Sequence, residues 1–116
     1  MARINGFESG KYDHRAFLAA QTDDELVKRI AYFTDRIERD LDHRDMWAKN
    51  AAEWDKVRQT ADTRGDKNQA TRRKNKAELK AATYQQSIDA AIDEIDYCTR
   101  IIKSRQQCEV CRELLP

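Results

Sequence analysis

The residues able to do chemistry are few. Cys108 and Cys111 form a C-x-x-C pair, a spacing at which two thiolates can share a zinc ion or exchange a disulfide. A structural zinc takes four ligands, and only Cys98, His14 and His43 are at hand to add to the pair. Cys98 lies on the same expected helix, about 15 Å from Cys108 if that helix is straight. A redox pair needs a lowered thiol pKa, which a helix N-terminus supplies. This pair falls at a helix C-terminus, where the dipole opposes a thiolate. Ordinary thiols, a zinc shared between subunits and a disulfide link remain the readings. No metal site is assigned, Cys108 and Cys111 being weak candidates, and no cofactor is expected.

His14 and His43 each lie among charged residues, with no serine or cysteine at a spacing that fits nucleophilic catalysis, and are expected at the surface. The carboxylates are scattered at ion-pair spacings, and there is no glycine-rich phosphate loop. No catalytic residue is assigned, and the chain is not expected to be an enzyme.

Two other groups stand out. Between Lys56 and Lys80 the chain is basic, with Arg64, Lys67, Arg72, Arg73, Lys74, Lys76 and Lys80 against only Asp62, Asp66 and Glu78. Such a cluster can touch phosphates or an acidic protein surface, pair with an acidic stretch of a second copy, or simply stay solvated. No aromatic residue stands among Arg72, Arg73, Lys74 and Lys76 to stack on bases, and none of these lies on the apolar stripe. Trp47 and Trp54 are two turns apart on one helical face, with Tyr84 expected near; they read as core packing or as an aromatic interaction face.

The elements that position these residues are helices. Charged residues make up 37% and apolar ones 40% of the 116 residues, with a net charge of +1. Disorder needs a larger net charge and no apolar period. Pro116 is the only proline, and from Thr22 onward Gly65 is the only glycine, which leaves no turns for a β protein. No apolar run reaches the roughly 20 residues of a membrane span, and no signal peptide is recognised. The odd cysteine count points to free thiols in a reducing cytoplasm.

Residues 1–21 read as an arm with Ile4, Phe7, Tyr12, Phe17 and Leu18 as apolar members and a short helix capped by Asp13. Its aromatics either dock on the long helices or stay exposed for a partner. Thr22 and Glu25 form a capping box. A stripe follows at Leu26, Ile30, Phe33, Ile37, Leu41, Trp47, Ala51, Trp54 and Ala61. Asp40 and Arg44 interrupt it and are spaced to pair with each other. A second stripe reads Ala77, Ala81, Tyr84, Ile88, Ala91, Ile95, Cys98 and Ile102, a heptad seam. Gly65 between them predicts a turn. The expectation is an all-α, coiled-coil-like antiparallel hairpin, with helix 22–63, turn 64–67 and helix 68–112. One continuous helix is the alternative. Folding back about residue 66 sets Trp54 near Ala77 and Ala81, Phe33 near Cys98 and Ile30 near Ile102.

A two-helix seam struggles to offset an ordering cost of about 1.5 kcal/mol per residue, so completion by a second copy or a partner is expected. The expected function is a helical protein–protein interaction module: adaptor, assembly factor or inhibitor. In type, though on no particular residue, the chain is similar to small phage or mobile-element accessory proteins that bind and block a host protein. The expected partners are another protein and itself, as a homodimer, with no membrane. Nucleic-acid or phosphate-ligand binding through the basic tip is the alternative. The cysteine pair should be dispensable for folding. A thermal melt unchanged by a strong chelator is the expected result, and a stoichiometric metal whose removal collapses the melt would restore the zinc reading.

Overall fold

Apolar residues at steps of four and three place one stripe on a helix, and that pattern governs the whole fold. The computed structural model describes residues 13–114, with side chains to residue 107. These form α1 (His14–Ala19), α2 (Asp23–Thr60) and α3 (Arg64–Leu114), with no strand among the described residues. The two long helices pack together as a hairpin. No described helix is long and apolar enough to cross a membrane.

Local signals set the helix ends. Asp13 caps α1 by accepting from the Ala16 amide at 3.2 Å. Thr22 Oγ1 accepts from the Glu25 amide at 3.2 Å, and the Glu25 carboxylate accepts from the Thr22 amide at 2.8 Å. That backbone hydrogen bond, followed by the Thr22 side-chain bond, holds the Glu25 carboxyl below its ordinary pKa. The turn comes earlier than expected, at 61–63 rather than 64–67. Thr63 is the reason: its Oγ1 accepts from the Asp66 amide at 3.1 Å, an N-cap that starts α3 at Arg64. Gly65 lies inside the first turn of α3 and does not end α2. A Cβ there would meet only Thr63 Oγ1, at 4.0 Å.

The chain divides into two units, one of residues 1–31 with 95–116 and one of residues 32–94. In the first, Leu18, Leu26 and Cys98 are fully buried, with Ile30, Tyr97, Ile101 and Ile102 packed around them. α1 therefore docks through Leu18. Polar contacts fasten it: Arg15 Nε donates to Tyr97 Oη at 2.8 Å, and Arg105 donates to the Ala19 carbonyl at 2.9 Å and to Asp23 at 2.6 Å. Phe17 stays 40% exposed, with the Arg29 guanidinium over its ring at 5.6 Å. Ile4, Phe7 and Tyr12 lie outside the described residues.

In the second unit, Ala51, Ala70, Ala77, Ile88 and Ala91 are buried together with two acidic residues, Asp40 and Glu94. Asp40 and Arg44 do not pair with each other as expected. Asp40 accepts from Ser87 Oγ at 2.7 Å, and Arg44 donates to Gln85 at 2.7 Å and pairs with Asp45 at 2.9 Å. Both seam residues find partners across the seam, which the one-helix view of the sequence cannot show. These pairs centre the fold-back near residue 64, about half a turn before the expected 66.

Leu26→Ala should lower stability by roughly 2–5 kcal/mol, as other fully buried leucines do. Val27→Ala, at a residue 55% exposed, should change it little; chemical denaturation of the two variants checks this.

Candidate functional site

On α2, His43, Trp47, Asn50 and Trp54 follow one another at steps of four, three and four, and so share a side of the helix. On α3, Arg73, Ala77, Lys80 and Tyr84 do the same. The antiparallel register brings the two rows together rung by rung. The His43 ring stacks on Tyr84 with centroids 5.1 Å apart and planes 17° from parallel. Lys80 Nζ lies 4.4 Å from the centroid of Trp47, and the Arg73 guanidinium carbon 4.9 Å from that of Trp54. Both distances are within the range of cation–π attraction.

Between the rows runs a groove of about 600 Å³, lined by Trp47, Asn50, Trp54, Arg73, Lys76, Ala77 and Lys80. Three of these residues are cations and none is a carboxylate. Among the described residues, none of the three cations makes an ion pair. The indoles are half-buried, and the cationic heads are exposed.

Adjacent helical residues diverge by about 100°, so Lys74 turns away from Arg73. Lys74 is half-buried, 3.8 Å from Asp55 and 3.9 Å from Glu78. It stands at a seam step between Ala70 and Ala77, a correction to its reading as a residue off the stripe. With Ala48, Ala51, Ala52 and Ala81, the side chains of Asp55, Lys74 and Glu78 line a separate groove of about 360 Å³. Asp55 also accepts from Arg58 Nε at 3.1 Å and Nη2 at 2.9 Å, and from Gln59 at 3.1 Å. The Arg58 hydrogen bond, more than the charges of Arg58 and Lys74, holds the Asp55 carboxyl below its ordinary pKa.

The two clusters read separately from the sequence thus become one site. Arg73, Lys76 and Lys80 join Trp47 and Trp54, and Tyr84 extends the row. Arg64, Lys67 and Arg72 are exposed and do not line the groove. The basic run, with no aromatic among its neighbours in sequence, has one beneath Arg73 in space. Ala77 lines the groove with Trp54, as expected, but Arg73 covers Trp54, and Ala81, expected beside it too, lines the other groove. His43 and Asn50 were missed as site residues. Their spacing from Trp47 was visible, but only the register shows that the spacing matters. Among the described residues no three His, Cys, Asp or Glu side chains gather to hold a metal. The side chains of Cys108 and Cys111 lie outside those described. No family model matches the chain, and neither a curated protein nor a solved structure matches it.

The Asp55 carboxyl should titrate below the usual aspartate range by carbon-detected NMR. Arg58→Leu should move it up toward that range, and Lys74→Met should move it less. Because the folded pKa is lowered, the stability linked to Asp55 is full above the ordinary aspartate pKa. It is lost as pH falls through the depressed value. An unchanged Asp55 titration in Arg58→Leu would contradict the assigned cause.

Proposed function

We propose that this chain is a non-enzymatic protein–protein interaction module that docks another protein through the groove of Trp47, Trp54, Arg73, Lys76 and Lys80. The observation that carries this reading is the lining itself: indoles beside cations, with no carboxylate. Tryptophan and arginine dominate binding hot spots because a large apolar body and a charged fork each gain most when a partner excludes water. The module serves as an adaptor, assembly factor or inhibitor in the cytoplasm and needs no cofactor. Its long helices also associate with a second copy in a coiled-coil manner. Exposed apolar side chains support this, among them Tyr32, Met46 and Ile92, each more than half exposed.

Nucleic-acid or phosphate binding is the second reading, favoured by Arg73, Lys76 and Lys80 converging without a carboxylate and by exposed Arg64, Lys67 and Arg72 nearby in sequence. Against it, only three cations converge on the groove, and Arg64, Lys67 and Arg72 do not line it.

A random-peptide display selection against the intact chain tests the module reading. Selected peptides should bind the intact chain and lose most of their affinity for a Trp47→Ala/Lys80→Gln variant of unchanged helicity. A selection yielding no groove-dependent peptide, alongside salt-sensitive binding of duplex DNA, would favour the second reading.

A further inference from the structure

The two lips of the groove differ in chemistry, and the difference specifies an occupant. The α3 lip carries Arg73, Lys76 and Lys80, at steps of three and four. They span two helical turns, about 10 Å along the axis. The α2 lip carries Trp47, Asn50 and Trp54. Met46, Glu53 and Val57 form the row beyond it and do not line the groove. At the turn end a recess shares Trp54 and Arg73 with the groove and holds Val57, Asp62 and Asp66.

We infer that the groove receives an acidic amphipathic helix of a partner protein. Its carboxylates, at i, i+3 and i+7, lie along Arg73, Lys76 and Lys80, and its neighbouring apolar stripe lies against Trp47 and Trp54. This deepens the interaction-module reading and rests on it. A helix is the occupant because only a helix repeats its side chains at the spacing of the α3 cations, so that charges meet in register. The occupant must be amphipathic because one lip offers charge and the other offers indole surface. A nucleic-acid strand fits less well. It would find phosphate partners on one lip only. On α3 itself Leu79, 69% exposed, stands next to Lys80 and three residues beyond Lys76. It adds apolar contact to the cationic lip where a phosphate backbone would run.

Trp47 and Trp54 are the only tryptophans in the chain, so intrinsic fluorescence reports the groove directly. The probe is a synthetic alanine-based helical peptide with glutamates at i, i+3 and i+7 and leucines on the adjoining stripe. Its twin carries glutamine in place of each glutamate. The glutamate peptide should shift the tryptophan emission saturably, and the twin should bind on the order of tenfold more weakly, a difference of about 1.4 kcal/mol. Lys76→Gln/Lys80→Gln should erase that preference, and Lys76→Arg/Lys80→Arg should retain it; both substitute exposed positions, and circular dichroism checks that helicity is kept.

Equal binding of the two peptides would overturn the inference, as would a thymidine oligonucleotide that shifts the emission at lower concentration than either. A response that vanishes when the chain's own dimer is dissociated would overturn it too, because the groove would then belong to the second copy. Groove-dependent peptides that emerge from display without an acidic helical pattern would sink this inference and leave the module reading standing. A display with no groove-dependent peptide sinks the module reading itself.

Discussion

A carboxylate set into an alanine-rich seam needs partners, and Asp40 finds one across the seam in Ser87 Oγ at 2.7 Å, besides Arg36 on its own helix at 3.8 Å. Asp40 is 9% exposed, so an unmatched charge there would lose its hydration without compensation. Arg44, one turn on, repeats the demand and meets Gln85 at 2.7 Å. The apolar seam positions around them cannot set a register as sharply. Ala51, Ala77, Ala81 and Ala91 are the same size, and a slide of one turn exchanges one alanine for another. In one direction the same slide would put Ala91 where Ser87 stands and leave Asp40 with only Arg36, 3.8 Å away on its own helix. Single polar seam residues are well attested as devices that fix helix register at some cost in stability.

The face of the 32–94 unit follows from that register. With Asp40 opposite Ser87, Trp47 comes under Lys80 and Trp54 under Arg73. Moved by one turn, Trp54 would face Ala77, and the cations would lie over other surface or over none. A polar contact inside the seam therefore decides which charged heads cover which rings outside it. Asp55, with Arg58 and Lys74 around it, works on the opposite side of the same seam and collects the carboxylates there. The sorting of charge into a cationic groove and an acidic one reflects the helical angle between neighbours such as Arg73 and Lys74, not the composition of the segment.

Much of the fold was legible because it is written in local, periodic signals. The Thr22–Glu25 box, the Asp13 cap and the two stripes all depend on residues within a turn or two of each other. Buried Cys98 and Leu26 were on the predicted stripes. The turn was misplaced because Gly65 was weighed as a helix terminator, while Thr63 is a better helix initiator and acts first along the chain. The groove was not legible, because it depends on pairs many turns apart in the chain, Trp54 with Arg73 and Trp47 with Lys80. A shift of about two residues in the fold-back point decides whether Trp54 meets Arg73 or an alanine. Periodicity fixes which face a residue is on; it says little about how far along the partner helix that face will find its match.

The cations over the indoles also account for how a groove of this kind can stay soluble and still bind. An exposed tryptophan pair is a sticky surface. Here each ring is shielded by a head group whose attraction to it, at an exposed site, is roughly 0.5–1 kcal/mol. That is enough to bias the resting position of Arg73 and Lys80 and too little to hold them against a charged partner. A desolvated carboxylate offers either head a charge-assisted hydrogen bond worth about 1.5–3 kcal/mol. An acidic helix arriving along α3 would therefore draw the heads toward its carboxylates and uncover ring surface for its apolar stripe in the same movement. A neutral helix would meet the rings still shielded. On this proposal the lids discriminate between partners by charge before any apolar contact forms, and the apolar contact then supplies the residence time.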